Sequence, residues 1–244
     1  MKYGILGDIH SNLEALQAVL DECRRQGVDR VLSVGDVVGY GAAPRECLSL
    51  LVESDVQIVK GNHDAACTGE LDLLYFNPYA REAVLWTTGQ LTTQELKRLA
   101  DLPLTLDLEH CSVAHGTYHE PERFDYVQST DDANSSLDVQ PRLVCFVGHT
   151  HVPVTLLRMK DDPYRTGYTL EDEVDFLDVA RALVNVGSVG QPRDENPLAA
   201  LGVYDSDANL YRLHRVEYDV EREAKRIRDA GLPHVLADRL HLGV

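Results

Sequence analysis

Five short apolar runs in this chain each end in a loop that carries aspartate, asparagine or histidine. Residues 3–6 lead into Gly7-Asp8-Ile9-His10, residues 31–34 into Gly35-Asp36, and residues 56–59 into Lys60-Gly61-Asn62-His63-Asp64. Residues 111–114 end in His115-Gly116, and residues 143–147 in Gly148-His149-Thr150-His151. The last of these, five apolar residues without polar alternation, reads as a strand buried on both faces. Helices separate the first three. Leu13, Leu16, Val19 and Leu20 fall on one face of a helix from Asn12 to about Gln26, with Ser11 or Asn12 as N-cap and Gly27 at its end. A second helix opens on Pro44, proline being tolerated in a helix's first turn, and runs to Glu53. Strand, polar loop and helix in repetition imply a parallel sheet whose loops gather at one edge, where open α/β sheets place their ligands.

The remaining elements predict a second layer. A helix is expected over 79–88, and Thr92-x-x-Glu95 is a capping box before another. Residues 104–108 alternate as a half-buried strand should, with 111–114 as antiparallel neighbour. Residues 117–128 read as an irregular loop, 131–137 as a short helix, 152–159 as a strand and 161–175 as a polar excursion or hairpin. Strands at 182–186, 199–204 and 210–216 follow without helices between them, and a helix over 220–230 closes the pattern. Late strands of this kind predict an antiparallel second sheet, hence two packed sheets with helices outside. His149 and His151 stand at i and i+2, so in extended chain both rings would point the same way.

The chain has 244 residues, 44% of them hydrophobic, and no linker or low-complexity tract, which predicts one domain over 1–244. Forty acidic residues against 23 basic leave a net charge of -17. Such a surface repels nucleic-acid phosphates, so nucleic acid is not an expected partner and a nuclease is disfavoured. No apolar stretch approaches the roughly 20 residues of a membrane helix, and a strand begins at once, without a signal-peptide core; a cytoplasmic protein is expected. Five scattered cysteines without a C-x-x-C pair indicate neither a disulfide framework nor a thiolate zinc site. The strand-end donors are therefore oxygens and imidazoles, which suit Mn, Fe, Zn or similar divalent ions, and they are too many for one tetrahedral site.

In order, the series Asp-x-His, Gly-Asp, Gly-Asn-His-Asp, His-Gly and Gly-His-Thr-His resembles the five-motif signature of calcineurin-like metallophosphoesterases. The longer strings over residues 8–12, 35–41 and 187–193 resemble a small single-domain prokaryotic branch of that family. The resemblance implies an α/β fold, a four-layer α/β/β/α sandwich of two mixed β-sheets flanked by helices. It implies two divalent transition-metal ions (Mn, Fe, Zn, Ni or Co): Asp8, His10 and His151 on the first, Asn62, His115 and His149 on the second, and Asp36 bridging both. His63 matches the family's leaving-group acid, with Asp64 then expected to orient that imidazole and favour its protonated form. The implied reaction is in-line attack on a small phosphate ester by a hydroxide shared between the metals, with phosphodiesters favoured. Phosphoprotein and dinucleoside-polyphosphate hydrolysis are the alternative activities. A non-catalytic scaffold of the same fold is the alternative of another class, and the intact motifs stand against it. Gly187-Ser188-Val189-Gly190 reads equally as a turn or as a backbone contact beside the site. His119 and Arg193 are expected to be exposed and without a role.

Overall fold

The computed structural model describes residues 1–244. The elements in chain order are β1 (Lys2–Leu6), α1 (Leu13–Arg25), β2 (Arg30–Ser33), α2 (Pro44–Glu53), β3 (Gln57–Ile58), α3 (Asn62–Cys67), α4 (Pro78–Gln90) and α5 (Thr93–Ala100). β4 (Thr105–Asp107), β5 (Cys111–Ala114), α6 (Thr130–Val139), β6 (Val144–Val147), β7 (Val154–Met159), β8 (Gly167–Thr169) and β9 (Glu173–Asp175) follow. β10 (Val179–Asn185), β11 (Ala199–Asp205), β12 (Leu210–Val216), α7 (Val220–Asp229) and α8 (His234–Asp238) complete the chain.

Two six-stranded sheets result, ordered β3-β2-β1-β11-β12-β9 and β4-β5-β6-β10-β7-β8. Both are mixed. β1, β2 and β3 are parallel, as are β5, β6 and β10, and every other pairing is antiparallel. The sheets face each other through Tyr3, Ile5, Leu32 and Val34 on one side and Val113, Val144, Phe146 and Val184 on the other. Side chains alternate across a strand, so Cys145 and Val147 turn to the opposite face and meet Ala133 and Leu137 of α6. On the outer face of the first sheet, Leu16 and Val19 of α1 pack with Leu6, Leu201 and Val203. Helix, sheet, sheet and helix thus make four layers, as expected. No helix is long and apolar enough to cross a membrane.

The late strands do not form a separate antiparallel sheet. β11 pairs with β1, Tyr204 opposite Tyr3, because β2 and β3 occupy only one side of β1 and leave its other edge open. The second sheet contains parallel strands because α6 carries the chain over from β5 to β6, the crossover that parallel pairing needs. Of the polar excursion, β8 pairs with β7 in one sheet and β9 with β12 in the other. The chain turns helical directly at Asn62, where only a loop was expected.

Helix starts match their sequence signals. The Asn12 side chain accepts from Ala15 N at 3.0 Å, while its amide donates to Gly190 O at 2.9 Å, fastening α1 to a distant loop. Thr92 and Glu95 close the capping box of α5.

Candidate metal centre

β1, β2, β3, β5 and β6 all end at the same rim, and the loops leaving them carry Asp8 and His10, Asp36, Asn62 and His63, His115, and His149 and His151. These residues are buried. The backbone is left-handed at Asp8, His10, Asp36, His149 and His151, with φ between 47° and 71°. A non-glycine residue held there costs about 1–3 kcal/mol, and such strain collects at functional sites. Neighbouring bonds offset it. His10 N donates to Asp36 O at 2.9 Å, Gly190 N to Asp8 O at 3.0 Å, and the Ser188 hydroxyl to the same Asp8 oxygen at 2.8 Å.

With left-handed backbone at both residues, His149 and His151 do not point the same way as they would in extended chain. Their rings go to different clusters. His151 Nε2 lies 3.0 Å from His10 Nε2, whereas His149 Nδ1 lies 3.1 Å from His115 Nε2, with Asn62 Oδ1 at 3.0 Å from that nitrogen. Asp36 Oδ2 stands between the clusters, 3.5 Å from His10 Nε2 and 3.4 Å from His115 Nε2. Asp8 Oδ1 is 3.6 Å from His151 Nε2. Two groups could each hold a metal ion, Asp8, His10, Asp36 and His151 in one and Asp36, His115 and His149 in the other.

The donor chemistry fits cations. The Nδ1 atoms of His10, His115 and His151 lie 3.0, 2.8 and 2.6 Å from the carbonyls of Val38, Val34 and Gln191. A carbonyl accepts, so each Nδ1 carries a proton and each ring turns its Nε2 inward. Burial pushes His10 and His151 well below the ordinary imidazole range, so both are neutral. Two bare nitrogens 3.0 Å apart repel unless a cation lies between them. In the other cluster, burial opposes charge on His115, but Asp36 and Asp8 outweigh it and raise that imidazole to about 9.

A family model described as the calcineurin-like phosphoesterase superfamily domain matches residues 1–207. The chain belongs to that superfamily. It is 35% identical to an uncharacterized protein of Methanocaldococcus jannaschii over 246 residues, 98% of this chain and 97% of that one. It is also similar to the crystal structure of a metallophosphoesterase from Sphaerobacter thermophilus, at 38% identity and a TM-score of 0.86 with both chains fully covered. A hypothetical protein from Pyrococcus horikoshii shares the fold at 21% identity and a TM-score of 0.79, over 100% of this chain and 98% of that one. This calcineurin-like phosphoesterase is accordingly a metal-dependent phosphoester hydrolase.

His63 lies at the edge of the centre, its ring 4.8 Å from that of His10, 4.5 Å from Tyr40 and 5.0 Å from Phe76. Its Nδ1 is buried and has no partner. Burial pushes the imidazole down to about 4. Asp64 does not hydrogen-bond to it, contrary to expectation. Its carboxylate instead accepts from Gly61 N at 2.9 Å, Val37 N at 3.1 Å and Val38 N at 3.2 Å. His63 and Asp64 are consecutive on α3, and neighbours at i and i+1 on a helix do not face each other. Asp64 ties the Asp36 loop to the start of α3. Gly61 is needed there, since a Cβ would meet Asp36 Oδ1 at 2.1 Å.

Residues outside the two donor clusters hold the centre in place. Ser188 and Gly190 hold the Asp8 backbone and Gln191 holds His151, so the 187–190 turn is a backbone contact to the centre. Asn185 donates to Gly148 O at 2.6 Å and to the Thr150 hydroxyl at 2.9 Å, bracing the His149 loop. A polar residue inside the apolar strand 182–186 was the available clue. Arg193 is partly buried rather than exposed. Its guanidinium lies 5.7 Å from the Tyr40 ring centre, with Nη2 3.1 Å from Gln191 Oε1. His119 is exposed, as expected.

Proposed function

We propose that the chain is a phosphodiesterase working through two divalent ions, one among Asp8, His10, Asp36 and His151, the other among Asp36, Asn62, His115 and His149. The observation carrying this reading is the pair of converging donor clusters, with bare imidazole nitrogens 3.0 Å apart and one Asp36 oxygen 3.5 and 3.4 Å from the two sides. Two such ions, when bound, acidify a water to near neutrality and place positive charge against the phosphoryl oxygens. Asp8 and Asp36 are the only carboxylates in these groups, so the centre keeps a formal charge of about +2 in an acidic protein. Asn62 is a neutral donor and does not lower it.

His63 is the group to protonate the departing oxygen. Burial keeps its ring neutral in the protein alone, and an anionic ester beside it favours the imidazolium. Tyr40, Phe76 and the backbone bond from His63 N to Asp36 Oδ1, 2.8 Å, fix where that ring stands. The sequence resemblance to the small prokaryotic branch favours diesters. The five cysteines are free and buried, which accords with a reducing compartment, and we place the activity in the cytoplasm.

The test is hydrolysis of bis- and mono-p-nitrophenyl phosphate by protein reconstituted with Mn, Fe, Zn, Ni or Co. Faster turnover of the diester is expected. Preference for the monoester would overturn the diesterase assignment, and no hydrolysis with any ion would favour the non-catalytic scaffold.

A further inference from the structure

Beside the metal centre lies a cleft of about 530 Å³ in which Asn62, His63 and His149 all take part. Aromatic residues are 7% of the chain, yet five line this one cleft: Tyr40, Tyr75, Phe76, Phe124 and Tyr126. They come mainly from two segments, the turn before α4 and the 117–128 loop. Tyr126 is stacked on the His149 imidazole, ring centres 3.8 Å apart and planes 22° from parallel, and is half exposed. Phe76 meets His63 edge-on. Tyr75 is 82% exposed, a large ring held at the rim without cover.

The charges beside these rings are of the wrong sign for an anion. Glu122 and Asp125 line the cleft, and its one cation, Arg123, already pairs with Asp125 at 2.9 Å and with Glu120 at 3.2 Å. Arg193 stands against Tyr40 but is not among the lining residues, so the lining itself offers a further phosphate no unpaired cation. A neutral planar ring finds stacking surface on several sides, and aromatic pairs prefer such offset or edge-on contacts.

We infer that the substrate's leaving group is a neutral alcohol bearing a planar aromatic ring, of nucleoside size and without additional phosphates, seated in this cleft. The inference rests on the metal-centre and His63 assignments above, because His63 and the rings border one space. Hydrolysis then breaks the phosphorus–oxygen bond to that alcohol. Water supplies the new oxygen on phosphorus, and the departing alkoxide takes one proton by way of His63, so atoms and charge balance. Dinucleoside polyphosphates fit this cleft less well, for their charge.

Calorimetric titration of the Mn-loaded protein with phosphonates tests the inference without requiring turnover. Phenylphosphonate should bind about tenfold more tightly than methylphosphonate, the scale of one good ring contact. Tyr75→Ala should shrink that ratio severalfold and leave methylphosphonate affinity unchanged, while Tyr75→Phe restores it. 4-Carboxyphenylphosphonate should lose the advantage, because Glu122 and Asp125 oppose its charge. Equal affinity of the phenyl and methyl compounds, or tighter binding of the carboxylated ring, would overturn the inference and leave the metal centre standing. Failure of all three to bind would overturn both.

Discussion

Glu223 of α7 should make this fold less stable as pH rises toward neutrality. Its side chain is fully buried, and Oε2 accepts from Arg226 Nη1 at 3.0 Å while Oε1 has no partner. Arg226 is shared, because its Nη2 donates to Glu14 Oε1 of α1 at 2.7 Å. Two carboxylates thus divide one guanidinium. Burial pushes the Glu223 carboxyl up from 4.5 to about 7, with Arg226 pulling the other way. Below pH 4.5 both folded and unfolded chains hold the proton. Between 4.5 and about 7 the unfolded chain has released it and the folded one has not, so folding stability falls with rising pH. The loss totals about 3 kcal/mol and is complete once pH passes the folded value. Glu223→Gln keeps the shape, and the amide carbonyl of the new side chain can still accept from Arg226, but the titration is gone. Urea unfolding of both proteins with chelator present, so that metal-linked protons cancel, isolates the residue. From about pH 5.5 to about pH 8 the variant's stability should gain about 2 kcal/mol relative to the parent. Parallel curves, with a gap that stays constant across this range, would refute the reasoning.

Three further outcomes concern the centre. Asp36→Asn removes charge from the oxygen lying between His10 and His115, so both ions should be weakened and elemental analysis should find fewer than two per chain; two retained ions would reject the bridging role. His63→Ala should keep both ions and lose rate mainly on esters with poor leaving groups, by about 10²–10⁴-fold, as steady-state kinetics across a leaving-group series would show. Equal loss on good and poor leaving groups would sink the acid role. Gly190→Ala places a Cβ 1.8 Å from Ile9 O, which must displace the loop carrying Asp8 and His10. Destabilisation of about 1–3 kcal/mol by urea unfolding, with weaker metal binding, is expected.

Much of the fold was legible because burial and strand ends are local features. Residues 144–147 are buried on both faces, as their unbroken apolar run suggested, and the five strand-end loops do converge on one rim. What was not legible depends on partners far along the chain. β11 completes the sheet of β1 from about two hundred positions away, and no local pattern says which sheet a late hairpin joins. Arg193 rests against Tyr40 across 153 positions, so a residue that looked exposed is partly enclosed. Asp64 was misread for a different reason. The resemblance implied that it orients His63, and the helix that begins at Asn62 turns the two apart.

The histidine pair shows how backbone conformation decides what a motif does. Extended chain would send His149 and His151 to one side, giving two ligands to one ion and none from this strand to the other. With φ of 71° and 63°, the two rings separate and each joins a partner from another loop, His115 or His10. Left-handed φ is costly for histidine, so it must be imposed from outside the motif. Asn185 holds the Gly148 carbonyl, Asp8 accepts from His149 N at 3.0 Å, and Gln191 O takes His151 Nδ1. Those three lie 37, 141 and 40 positions from the atoms they hold. A single strand end can therefore serve both donor clusters only after the two sheets have packed, and the centre forms as a consequence of the sandwich rather than of its own sequence.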